Sequence, residues 1–157
     1  MKTILFVCSG NYCRSPLAEG LARLRLQQAG YGDQFSTRSA GTLDVYEGQP
    51  PAPLIQEVLR EIGADGQANP PHQITPDEIE HAAVIFGVAQ EHLAWIAQHY
   101  PAAVSRTFLL SDLIGEQWDV RDPGVQQLEP LRECRDTIDR VITTGLSTLI
   151  QRAGGGA

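Results

Sequence analysis

The feature that most constrains this chain is how it begins. A short apolar, β-prone run, Thr3-Ile4-Leu5-Phe6-Val7, leads without a polar break into Cys8-Ser9-Gly10-Asn11-Tyr12-Cys13-Arg14-Ser15-Pro16. A helical pattern follows at once, with Leu17, Leu21 and Leu24 recurring until Gly30. A short run with no polar alternation reads as a strand buried on both faces, and a strand that turns directly into a helix opens a βαβ unit. Ser15 and Pro16 read as the N-cap and first residue of that helix. Such a start asks for a parallel sheet.

The rest of the chain repeats the alternation. Residues 35–38 predict a second strand ended by Ser39-Ala40-Gly41. Pro50-Pro51 opens a helix with Leu54, Val58 and Ile62 on one face and Gly63 at its close, and 66–71 is a polar connector. Thr75-Pro76 starts a short helix, 83–88 predicts a third buried strand, and 91–99 a helix stopped by Pro101. A fourth strand over 106–110, a long loop over 111–127 and a final helix over 129–152 complete the pattern. Right-handed crossovers place the helices on both faces of such a sheet, so the expected fold is an α/β three-layer sandwich around a four-stranded parallel sheet. No internal repeat or second composition regime divides the 157 residues. Residues 1–153 are expected to form one domain, and 154–157, with three consecutive glycines, a flexible tail.

Parallel sheets bind ligands beyond the carboxyl ends of their strands, which directs attention to the first turn. Its backbone N–H groups between Cys8 and Ser15 form an anion nest, helped by the positive end of the following helix. Gly10 and Asn11 are the residues that best tolerate the positive φ such a loop needs. Arg14, six residues after Cys8, adds a planar fork for two phosphoryl oxygens. The same field favours the thiolate of Cys8, a nucleophile suited to phosphorus. A nucleotide-binding loop is excluded, because it ends in Gly-Lys-Ser/Thr and Lys2 is the only lysine. The formal charge of −7, without a basic run, speaks against nucleic acid or an anionic membrane as partner. An anion must therefore be held by this local device. The leaving oxygen needs a proton, for which Asp122, stiffened by Pro123 in the long loop, is the candidate acid, with Asp112 and Asp119 as rivals.

Cys8 to Pro16 resembles the signature of the low-molecular-weight protein tyrosine phosphatases. Ser39-Ala40-Gly41-Thr42, Gln73-Ile74-Thr75 and Asp122-Pro123 recur in that family's order, so the resemblance spans nearly the whole chain. It implies a flavodoxin-like sheet of the phosphatase type, with Cys8 as nucleophile, Arg14 as phosphate clamp and Asp122 as general acid. It implies that Ser9, Gly10, Asn11, Tyr12, Cys13 and Ser15 line the phosphate site, and that Asn11, Ser15 and Ser39 hold the loop. The implied substrate is a phosphotyrosine protein or peptide, with inorganic phosphate or another oxyanion as product or inhibitor and no metal or cofactor. The chain departs from the family's pattern at the substrate wall. Gly124 and Val125 stand where aromatics are usual after Asp-Pro, Val45 stands at another aromatic position beside Tyr46, and a supporting histidine aligns with Asn69. In the related arginine phosphatases a threonine takes the place of Tyr12. The alternatives are thus a protein-arginine phosphatase or a thiol-dependent arsenate reductase of the same fold. The latter needs further cysteines after the third strand, and 88–101 has none.

Three cysteines make no disulfide framework, and no apolar stretch has the length of a membrane span, so a reducing cytoplasm is the expected location. Cys13 is placed either to pair with Cys8 on oxidation or to pack, whereas Cys134 shares a helix face with Ile138 and Val141 and reads as core. His72, His81, His92 and His99 show no ligand spacing. Trp95 and Trp118 read as packing, with Trp118 a second source of aromatic wall.

Overall fold

The computed structural model describes residues 1–154. The opening run becomes β1 (Lys2–Cys8), in which every residue from Ile4 to Cys8 is buried. A strand buried on both faces needs a neighbour on each edge and a layer on each side. Both are present. β1 pairs in parallel with β2 (Phe35–Gly41) and with β3 (Ala82–Gly87), and β3 pairs with β4 (Thr107–Leu109), giving the order β2-β1-β3-β4. The fold is the expected α/β three-layer sandwich.

Alternation along the strands sorts the core. Ile4, Phe6, Val84 and Phe86 pack with α1 (Arg14–Gln28), α2 (Pro53–Arg60), α5 (Leu128–Thr144) and α6 (Leu146–Arg152). Leu5, Val7 and Ile85 face the other way, toward α3 (Pro76–His81) and α4 (Gln90–His99). Thr75 caps α3 through a reciprocal pair with Glu78, as its position before Pro76 predicts. No described helix is long and apolar enough to cross a membrane.

Several boundaries differ from the sequence reading. β2 continues through Ser39-Ala40-Gly41, because these residues pair in register with the end of β1, Cys8 opposite Gly41. α1 begins at Arg14 with Cys13 at the N-cap and no side-chain cap, so Ser15 lies inside the first turn. Its hydroxyl is turned to Cys8 instead. α2 begins at Pro53 rather than at Pro50-Pro51, and Ile62 lies beyond its end. The last helix is broken at Gly145, where a Cβ would stand 2.7 Å from both Cβ and the carbonyl oxygen of Leu113. That residue sits in a 3-10 turn, Leu110–Ile114, which follows the three-residue β4. Gly154 closes a turn and its carbonyl accepts a hydrogen bond from Lys2 Nζ at 2.6 Å, while the rest of the expected tail, 155–157, lies outside the described residues.

The ends of β1 and β2 meet closely at the first loop. A Cβ on Gly41 would stand 2.5 Å from the Ser9 carbonyl oxygen and 3.0 Å from the Asn11 nitrogen, both backbone atoms that cannot rotate aside. Gly41→Ala is therefore expected to lower stability by about 1–3 kcal/mol and to displace the loop. Thermal melts together with a phosphate-binding titration check this. An alanine variant that binds phosphate like the parent contradicts the close approach.

Candidate active site

The first loop connects Cys8, at the end of β1, to Arg14, at the start of α1. The carbonyls of Cys8 and Ser9 accept hydrogen bonds from the N–H groups of Thr42 and Leu43, each at 2.9 Å. In a trans peptide the N–H points opposite the carbonyl, so the N–H groups of Ser9 and Gly10 turn away from that strand extension. Asn11 is the only described residue other than glycine with positive φ, at 53°. Gly10 does not need that region; it is small because its Cβ would stand 2.6 Å from the Tyr46 ring.

The buried amide of Asn11 organises the loop. Its Nδ2 donates to Ser15 Oγ at 2.9 Å and Ser39 Oγ at 3.0 Å, and its Oδ1 accepts the His72 backbone N–H at 3.2 Å. Where the family has a supporting histidine this chain has Asn69, and the Asn11 amide oxygen is met by the His72 backbone N–H. Since Ser15 Oγ accepts from Asn11, its own proton is free for Cys8 Sγ, 3.0 Å away, in preference to the Ala40 carbonyl at 3.5 Å. Ser39 passes its proton to Glu19 Oε1 at 2.5 Å, and the other carboxylate oxygen pairs with Arg23 at 2.7 Å. Burial raises the Glu19 pKa, while Ser39 and Arg23 oppose that rise. Sequence reading missed Glu19, whose helical position says nothing of a neighbour on β2.

Arg14 is buried and its Nη1 donates to the Val120 carbonyl at 2.8 Å, while the Val120 N–H donates to Val88 just beyond β3, also at 2.8 Å. The long loop is thereby anchored beside the first. A cavity of about 400 Å³ opens between them, with Cys8, Arg14, Tyr12, Tyr46 and Asp122 in its lining. Asp122 is exposed at the mouth, its Oδ1 held by the Gly124 N–H at 3.0 Å. The rival carboxylates are occupied elsewhere: Asp112 pairs with Arg152 at 2.7 Å, and Asp119 accepts the Gln90 N–H at 2.9 Å.

Tyr12 and Tyr46 stack with ring centroids 4.3 Å apart and planes 15° from parallel. Tyr46, adjacent to the position of the family's aromatic at Val45, thus supplies an aromatic face beside Tyr12. Trp118 does not join this wall; its Nε1 donates to Glu116 at 2.6 Å and its ring lies 5.9 Å from the Arg140 guanidinium. Among the described residues, no three His, Cys, Asp or Glu side chains converge as metal ligands.

Cys134 is buried on the core face of α5, as its spacing predicts, yet its thiol also meets Cys13. Cys13 Sγ lies 3.6 Å from the Gly124 carbonyl and Cys134 Sγ 4.0 Å from the Arg121 carbonyl, so the two thiols sit under the residues that flank Asp122. The neighbouring Cys134 thiol and burial raise the Cys13 pKa, whereas Cys13 lowers that of Cys134 against the effect of its burial. His92, on α4, is also buried, with Nε2 3.0 Å from Ser9 Oγ and Nδ1 accepting the Ala89 N–H at 3.1 Å. No ligand spacing marks it because its partners are a backbone group and a loop serine.

A cysteine and a clamped arginine on one loop, beyond the carboxyl end of the central strand of a parallel α/β sheet, define the class of cysteine-dependent phosphatases. Comparison with known proteins narrows this. Residues 3–153 match the model of the low molecular weight phosphotyrosine protein phosphatase family, and the chain belongs to that family. It is 33% identical to a probable low molecular weight protein-tyrosine-phosphatase, EpsP, of Ralstonia nicotianae, over 89% of this chain and 90% of the relative. It is 31% identical to a protein-arginine-phosphatase of Geobacillus stearothermophilus, over 88% of this chain and 90% of that protein. The solved low molecular weight protein tyrosine phosphatase of T. tengcongensis superimposes with a TM-score of 0.84 at 28% identity, covering 93% of this chain and 97% of its own.

Burial, and then the positive charge of Arg14, push the His92 pKa down from 6.5 to about 4, against a smaller opposing effect of Asp119. Glu91, 3.6 Å from Nε2, is the other charged group in reach. A lowered histidine pKa means that the unfolded chain takes up the proton first on acidification. This contribution to stability is full above about pH 6.5 and is lost as pH falls toward 4, by up to about 3 kcal/mol. Denaturant melts between pH 4 and 7 should show a shallower pH slope for His92→Gln than for the parent; equal slopes contradict the assignment.

Proposed function

We propose that the chain hydrolyses phosphotyrosine in proteins or peptides through a cysteinyl-phosphate intermediate. The observation that carries this reading is the stacked Tyr12–Tyr46 pair beside a cavity whose lining includes Cys8, Arg14 and Asp122. The phosphoryl group sits over the loop N–H groups of Ser9 to Ser15, with two oxygens on the Arg14 guanidinium. Cys8 sulfur attacks phosphorus while Asp122 gives its proton to the departing tyrosine oxygen. Water then attacks the phosphocysteine, Asp122 takes up a water proton, and inorganic phosphate leaves with Cys8 restored as thiolate. Loop N–H groups and Arg14 stabilise charge on the phosphoryl oxygens in both steps, and the Ser15 hydroxyl stabilises the sulfur when it leaves.

Selectivity follows from reach and from the wall. A phosphoryl group at the base of a cavity must be presented by a long side chain, and the tyrosine ring reaches deeper than serine or threonine. Two stacked tyrosines offer it a flat aromatic contact, while Gly124 and Val125 leave the opposite wall thin. A guanidinium phosphate gains less from that flat wall, and the ring of Tyr12 narrows the entrance. The reading is therefore phosphotyrosine over phosphoarginine, at modest affinity. An arsenate reductase gets less support, since α4, directly after β3, carries no cysteine.

Asp122→Asn should lower kcat by about 100-fold or more for alkyl-substituted aryl phosphates and far less for p-nitrophenyl phosphate, whose leaving group needs little protonation. The same pattern from Asp112→Asn or Asp119→Asn reassigns the acid. Tyr46→Ala should raise KM for phosphotyrosine peptides about three- to tenfold, the worth of one aromatic contact. Faster hydrolysis of phosphoarginine than of phosphotyrosine at equal concentration overturns the substrate assignment and leaves the Cys8 chemistry standing.

A further inference from the structure

Ser9 and His92 lie in the geometry of a serine activated by a base, with Oγ and Nε2 3.0 Å apart and the ring buried. The tautomer excludes that role. Nδ1 accepts the Ala89 N–H at 3.1 Å, so its lone pair is occupied and the single proton of a neutral imidazole sits on Nε2. Nε2 is then a donor, and Ser9 Oγ is its acceptor. Ser9's own proton has only the Glu91 carboxylate within range, at 3.5 Å.

Ser9 is the residue directly after Cys8, and it is held from two sides. Its carbonyl is fixed by the Leu43 N–H at 2.9 Å, and its side chain by His92 on α4. The carbonyl bond orients the Ser9–Gly10 peptide, and the matching bond from Thr42 to Cys8 orients the peptide before it. What joins these two planes are the φ and ψ torsions of Ser9, and the Ser9 side chain is the handle on them. The mechanism uses His92 nowhere, yet its buried imidazole spends Nδ1 on the N-cap of its own helix and Nε2 on the residue after Cys8, which ties α4 to the loop.

We propose that His92 is a positioning residue: through Ser9 it sets the angle at which the first two loop N–H groups, those of Ser9 and Gly10, meet a bound phosphoryl oxygen. This rests on the phosphatase reading, in which those groups bind phosphate. Because they bind phosphoryl oxygens before and during the reaction alike, losing the strut weakens binding and leaves the chemical step little changed. His92 also links the loop to the turn after β3, whose Val88 carbonyl anchors the long loop through Val120.

The two hydrogen bonds of His92 can be removed separately. Asn places an acceptor near Nδ1 and keeps the bond from Ala89 but not the strut, whereas Gln places a donor near Nε2 and keeps the strut. Binding of inorganic phosphate to the full chain, titrated by calorimetry, is the readout, so a failed substrate assignment leaves the test intact. His92→Asn should bind phosphate about fivefold more weakly, the size of one hydrogen bond, and raise KM for p-nitrophenyl phosphate equally with kcat nearly unchanged. His92→Gln should restore most of both. Ser9→Ala should show the same loss, and the Ser9→Ala, His92→Asn pair no more than either alone. Nitrogen NMR of the resting protein should show His92 protonated on Nε2 only. Phosphate binding unchanged in His92→Asn, a Gln variant no better than Asn, additive losses in the pair, or a proton on Nδ1 each overturns the proposal.

Discussion

One buried amide holds the site together. Asn11 occupies the left-handed region at φ 53°, a conformation that costs a non-glycine residue about 1–2 kcal/mol, and its side chain makes three hydrogen bonds that offset this. Each bond ties the loop to a different part of the chain: the first turn of α1, the end of β2, and the connector before α3. The direction of the protons then follows. Asn11 can only donate through Nδ2, so Ser15 is left to donate to the Cys8 sulfur and Ser39 to Glu19. The network thus delivers one hydroxyl proton to the Cys8 sulfur and one to a buried carboxylate.

The sheet supplies the place where this network can exist. Cys8 ends β1 opposite Gly41, so Cys8, Ser39 and the first turn of α1 converge at one sheet edge. Beside them, Arg14 donates to Val120, and Val120 to Val88, so Arg14, the loop that carries Asp122 and the end of β3 form one connected piece. Beneath Asp122 the Cys13 and Cys134 thiols reach the carbonyls of Gly124 and Arg121. That loop is thus held by its backbone, and the Asp122 carboxyl stays at the cavity mouth.

How much of this was legible in the sequence depends on the range of the interaction. The strand, the loop and the helix at the N-terminus were readable because apolar runs and helical spacing are local signals. That Cys8, Arg14 and Asp122 line one cavity was legible as an expectation, since Cys8 and Arg14 share one loop and Asp122 lies on the loop after the fourth strand, at the same end of the sheet. Ser15 was misplaced as an N-cap for a physical reason: a serine beside a proline has a strong local preference, and the thiol that claims its hydroxyl is seven residues back. Glu19 was invisible and the partners of Tyr46 and His92 unseen, since each of the three gains its place from a residue between 20 and 83 positions away in sequence. Cys134 was read correctly as core, but spacing on one helix cannot show that Cys13 lies opposite. The break at Gly145 likewise depends on Leu113, and nothing local to α5 signals it.

The central claim is that the Cys8 sulfur takes the phosphoryl group. It is tested most directly by acid-quenching Asp122→Asn within its first turnover of p-nitrophenyl phosphate, then mapping the phosphorylated residue by phosphorus NMR and peptide mass. Loss of the Asp122 carboxylate slows attack by water more than it slows departure of this activated leaving group, so the intermediate should accumulate. The account predicts a phosphorothiolate on Cys8 approaching one per chain, absent from Cys8→Ser. Turnover with no phosphate on Cys8, or with phosphate on His92 or on a serine of the loop, contradicts it.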